Sequence, residues 1–71
     1  MTTTTGYAVI YRATEDSDEA ARNTLDAAER EDVALADVIE VCKSCHADAE
    51  LRGANGDLLG WVHPSGDYRY A

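Results

Sequence analysis

Phenylalanine is missing from this 71-residue chain, and Met, Trp and Pro occur once each. Large apolar surface must therefore come from one Trp, four Tyr and a modest set of Val, Leu and Ile. Cations are equally scarce: six Lys and Arg stand against fourteen Asp and Glu, a formal net charge of −8. Such a charge repels phosphate, which disfavours direct binding to nucleic acid or to an anionic membrane. No apolar run approaches membrane-spanning length, and no secretory apolar segment follows Met1, because Thr2 to Thr5 are polar. The expected location is the cytoplasm (a host's cytoplasm, were the chain phage-encoded), where a structural disulfide is disfavoured.

At this length the chain makes one small domain, here residues 6–71, after a short tail at 1–5 that reads as disordered. Folding such a chain buries only about 60% of the surface its unfolded form exposes, so a metal staple or self-association into a homo-oligomer would help. The charge is uneven. From Glu15 to Glu50 there are twelve carboxylates against Arg22, Arg30 and Lys43, whereas the rest of the chain is close to neutral. Arg outnumbers Lys five to one, which fits a GC-rich genome, and the acidity fits a high-salt cytoplasm; composition does not separate the two.

The order of elements reads as an α+β fold. Tyr7-Ala8-Val9-Ile10-Tyr11 alternates as an N-terminal strand, with Tyr7, Val9 and Tyr11 on one face. Asp16 or Ser17 caps a helix running to about Arg30, whose apolar stripe is Ala21, Leu25 and Ala28. A second helix starts near Asp32 and carries Leu35, Ile39 and Cys42 on one face, flanked by Val38. Asp32 interrupts the stripe the two would share, so two helices with a turn at Glu31-Asp32 are preferred over one kinked helix. A three-stranded antiparallel β-meander follows, with turns at Asn55-Gly56 and at Pro64-Ser65-Gly66-Asp67.

Two-residue loops at both turns would set the register. Leu51 would then face Gly60 and Ala49 face Val62, while His63 would face Tyr68 and Trp61 face Tyr70. One sheet face would carry Ala49, Leu51, Leu58 and Val62, and the other Leu59, Trp61, His63, Tyr68 and Tyr70. Helices can cover only one face of so small a sheet. The bulk of the aromatic residues predicts that theirs is the covered one; otherwise Trp61, Tyr68 and Tyr70 form an open binding surface.

Both cysteines and both histidines lie in the C-terminal half, in Cys42-Lys43-Ser44-Cys45-His46 and at His63. A zinc site would use Cys42, Cys45 and His63, with His46 or Asp48 as the fourth ligand. The order Cys42, Cys45, Trp61, His63 resembles that of small one-knuckle zinc proteins, in which C-x-x-C precedes a W-x-H strand. Those close the site with a further Cys that this chain lacks, and the likeness covers about a third of it. C-x-x-C-H is also the c-type haem pattern, but it comes here without an export signal and beside a sheet-like segment. Redox catalysis is disfavoured because the thiols fall at a helix C-terminus, where the dipole opposes thiolate. The competing and preferred reading has no cofactor: the cysteines are small buried apolar residues and His46 is a helix-end cation.

Serines 17, 44 and 65 have no nucleophile setting and no phosphate-binding loop is present, so the chain reads as a non-enzyme. The expected function is a small acidic accessory or regulatory module whose helical face (Asp18, Asp26, Glu29, Asp37 and Glu40) meets a basic protein surface, one version being an inhibitor. The alternative is the zinc-stapled mini-domain, and a third reading places function on the aromatic face.

Overall fold

The computed structural model describes residues 6–71, so the tail expected at 1–5 lies outside the described residues. It has six elements: β1 (Ala8–Ala13), α1 (Glu19–Ala27), α2 (Leu35–Cys45), β2 (Ala47–Arg52), β3 (Leu58–Val62) and β4 (Tyr68–Tyr70). The strands form one antiparallel sheet in the order β1-β2-β3-β4. The N-terminal strand thus joins the meander as its first member, a pairing that local pattern does not specify.

Helix ends fall inside the expected bounds. Asp18, rather than Asp16 or Ser17, caps α1, its carboxylate accepting from the Ala21 N–H at 2.7 Å. The helix closes at Ala28, where Arg30 donates from Nη2 to the Leu25 carbonyl. Between the helices the chain is extended, with Asp32 in the left-handed region (φ 56°). Val33 then exchanges two backbone hydrogen bonds with Tyr7, and the Arg30 carbonyl accepts from the Val9 N–H. This connection covers the outer edge of β1, which rules out a single long helix and shields a strand edge from pairing with other chains.

The helices cover the aliphatic face of the sheet, which corrects the expectation that the aromatic face is core. Val9, Tyr11, Ala47, Ala49, Leu51 and Val62 from the strands meet Leu25, Val38, Cys42 and Cys45 from the helices. The buried line of α2 is Val38, Cys42 and Cys45 at i, i+4, i+7, with Leu35 and Ile39 half-buried at its side. Small and β-branched residues suit this interface because α1 offers only one large side chain, and a ring layer would hold the helices off the sheet.

Both hairpin loops have three residues rather than two. In the first, Gly53 pairs with Asp57 around Ala54-Asn55-Gly56; in the second, His63 pairs with Asp67 around Pro64-Ser65-Gly66. Gly56 and Gly66 take the left-handed position (φ 88° and 94°) that this loop needs. In the first hairpin a bulge at Leu59 restores the expected register, so Leu51 faces Gly60 and Ala49 faces Val62. The second hairpin has no such bulge. Tyr68 faces Val62, Arg69 faces Trp61 and Tyr70 faces Gly60. A one-residue slip exchanges the two faces of a strand, so Tyr68 and Tyr70 stand on the helix side and Arg69 on the open side.

Candidate functional site

Three places carry chemistry: the interhelical groove, the open sheet face and the cysteine pair. The groove between α1 and α2 has a volume of about 450 Å³ and an apolar floor of Tyr11, Ala28, Val33 and Val41. Glu29 and Asp37 also line it, and a smaller continuation of about 360 Å³ toward Ser44 adds Glu40. Ala27 and Ala28 at the end of α1 are too small to fill the space between the helices at this level. Burial pushes the Tyr11 hydroxyl pKa up, and the Arg30 guanidinium sits 5.7 Å from its ring centroid.

The carboxylates from Glu15 to Glu40 number ten and all are exposed. Among the described residues, none of them lies within ion-pair distance of a cation. Two of the three cations of this half are bound to backbone instead: Arg22 donates to the Ser17 and Thr14 carbonyls and Arg30 to the Leu25 carbonyl. Of the five acids expected at a partner face, Glu29, Asp37 and Glu40 surround the groove. Asp18 is engaged as the α1 cap, and Asp26 lines neither part of the groove. Asp48 and Glu50, which sequence grouped with the helical acids, lie in β2 on the opposite side of the molecule.

The open sheet face carries Ile10 and Arg12 from β1, Asp48, Glu50 and Arg52 from β2, Trp61 from β3 and Arg69 from β4. His63 follows β3 on the same side, its Nδ1 3.7 Å from an Asp48 oxygen. Arg52 pairs with Glu50 at 3.0 Å and also donates to the Gly56 carbonyl. A depression of about 210 Å³ lies among Arg12, Asp48, Glu50, Trp61 and His63. Trp61 and Ile10 are 39% and 44% exposed, high values for large apolar side chains. Of the expected aromatic set only Trp61 stands on this face. The rings of Tyr68 and Tyr70 meet at 4.7 Å on the other side, at the β4 edge.

Cys42 and Cys45 are free thiols buried against the sheet, and burial, then Asp48 and Cys45, pushes the Cys42 thiol up to about 12. His46 closes α2 in the left-handed conformation (φ 52°) and is exposed. His63 is on the far side of the sheet from both thiols. Among the described residues, no group of three or more His, Cys, Asp or Glu is placed to hold a metal ion.

Ser17 escaped the sequence reading as a structural anchor. Its hydroxyl lies 2.7 Å from the Cys45 carbonyl and 3.0 Å from that of His46, and it accepts from the Thr14 N–H. Thr14 also donates from Oγ1 to the His46 carbonyl. The turn after β1 thereby satisfies the last carbonyls of α2, which otherwise lack partners. The Thr14–Ser17 spacing was the only local signal. No helix among the described residues is long and apolar enough to cross a membrane. No protein-family model, no curated protein and no solved structure matches this chain.

Proposed function

We propose that this chain is a small acidic binding module, without catalytic chemistry of its own, that receives a basic amphipathic segment of a protein partner in the groove between α1 and α2. The observation that carries this reading is the pairing of an apolar floor with carboxylates that have no cation beside them. A partner with Leu or Val on one side and Arg or Lys along its flanks would bury the floor and neutralise Glu29, Asp37 and Glu40. Acting as a regulator or inhibitor then means occupying a basic surface that the partner uses elsewhere. The excess of negative charge around the groove would steer association and make it salt-dependent.

The test uses a synthetic helical peptide with Leu on one face and Arg on its flanks, titrated into labelled protein and followed by amide chemical shifts. Shifts are expected to gather between Thr24 and Val41, and affinity to fall steeply between low and physiological salt. Glu29→Lys with Asp37→Lys should abolish the interaction while the fold persists. Shifts confined to the sheet face, or an affinity indifferent to salt, would refute the groove.

A further inference from the structure

The open sheet face is the part of this molecule whose charge differs from the rest. It holds Arg12, Arg52 and Arg69 against Asp48 and Glu50, whereas the helical half holds ten carboxylates against three cations. It also exposes Trp61, the chain's one tryptophan, and Ile10. Among the described residues, neither Arg12 nor Arg69 has an ion-pair partner, although Asp48 stands opposite Arg12 in the sheet.

We infer that this face is the contact surface of a homodimer, its occupant being a second copy of the same chain. A two-fold contact places one patch against itself, so a charged patch is self-complementary only if it carries both signs. This face meets that requirement and the helical face does not. Two helical faces brought together would oppose many unpaired carboxylates, whereas two sheet faces can set Arg12 and Arg69 of one copy against Asp48 and Glu50 of the other.

Size sets the strength of the contact. Four strands about 4.8 Å apart and roughly 17 Å long present a face of about 330 Å². Two such faces packed together would bury roughly twice that area, which lies below the ~1,200 Å² of stable interfaces and in the range of weak, reversible contacts. Sheet-on-sheet packing of this kind places Trp61 at the centre, where an aromatic anchor contributes most. Single-stranded nucleic acid is the competing occupant of an aromatic sheet platform. Asp48 and Glu50 beside Trp61, and the net charge of −8, oppose it.

Sedimentation equilibrium of the full chain over a wide concentration range, at physiological salt, tests the inference. The mass should rise from one chain to two, with no larger species. Trp61 reports directly on the interface, so its fluorescence should move to the blue over the same range. Trp61→Lys and Ile10→Lys, both at exposed positions, should remain monomeric with unchanged far-ultraviolet circular dichroism, and Ile10→Lys should lose the blue shift. Glu40→Lys, on the helical side, should leave the dimer intact. The inference is overturned by a monomer at millimolar concentration, or by a dimer that survives both sheet-face variants. It is equally overturned by quenching of a monomeric Trp61 with a single-stranded oligonucleotide.

Discussion

Cys42 is a titratable residue that burial displaces far from its ordinary behaviour. It sits fully buried on the inner face of α2, where burial and the nearby Asp48 and Cys45 hold its thiol protonated to about pH 12. An unfolded cysteine ionises near its usual value of 9.0. Between those values the folded chain keeps a proton that the unfolded chain has released, so stability is complete below about pH 9 and declines as pH rises. Denaturant midpoints should fall from pH 8 to pH 10, and fall less in Cys42→Ala. Equal slopes in the two proteins would show that the thiol does not cause the decline. Tyr11 is shifted the same way, by burial first and by Cys42 second, so the comparison reads Cys42 together with its effect on Tyr11. That the thiol is buried could be anticipated from its place on an apolar stripe. Its distance from His63 could not, because the two lie on different elements whose faces are set by the sheet.

At the scale of elements, the second hairpin decides where three side chains point, those of Tyr68, Arg69 and Tyr70. Gly60 faces Tyr70 in the ladder, and a side chain there would project toward the Tyr68 ring. A Cβ at Gly60 would lie 2.7 Å from Tyr68 Cε1 and closer still to the Arg69 carbonyl. One of these must move, and the carbonyl belongs to the ladder. Gly60→Ala is therefore expected to destabilise the fold by about 1–3 kcal/mol through overpacking, despite alanine's smaller backbone entropy loss. Thermal unfolding measures this; a neutral result would mean that Tyr68 does not cover the glycine. The strands themselves were legible from alternation and turn residues. The orientation of Tyr68 and Tyr70 was not, since Pro64-Ser65-Gly66-Asp67 accommodates a two- or a three-residue loop, and these differ by one step of register. In the first hairpin the bulge at Leu59 cancelled the slip from Gly60 onward, and only Leu58 departs from the expected face, standing opposite Arg52 instead of joining Ala49, Leu51 and Val62.

For the molecule as a whole, charge and core are in tension. Ten exposed carboxylates on the helical side have no cation beside them, and the core beneath is made largely of Val, Ala and Cys. Mutual repulsion opposes compaction, and it is screened over about 8 Å at physiological ionic strength. The melting temperature should accordingly climb as sodium chloride increases from a few millimolar to molar levels. Glu29→Gln with Glu31→Gln should flatten the dependence. A melting temperature independent of salt would mean that the acidic surface imposes no strain on the fold. A fold that forms only at molar salt would mark the acidity as an adaptation to a saline cytoplasm.

Composition and local pattern by themselves determined the kinds of element, their order, the break between the helices and the acidity of the helical half. These follow from short-range preferences: capping, periodicity and turn chemistry act over a few residues. Only tertiary structure decided which sheet face is covered, that Trp61 parts company with Tyr68 and Tyr70, and that Asp48 and Glu50 leave the other acids. Each depends on strand register and on how closely a helix with one large side chain can approach a sheet, and both are settled by contacts between residues far apart in the chain.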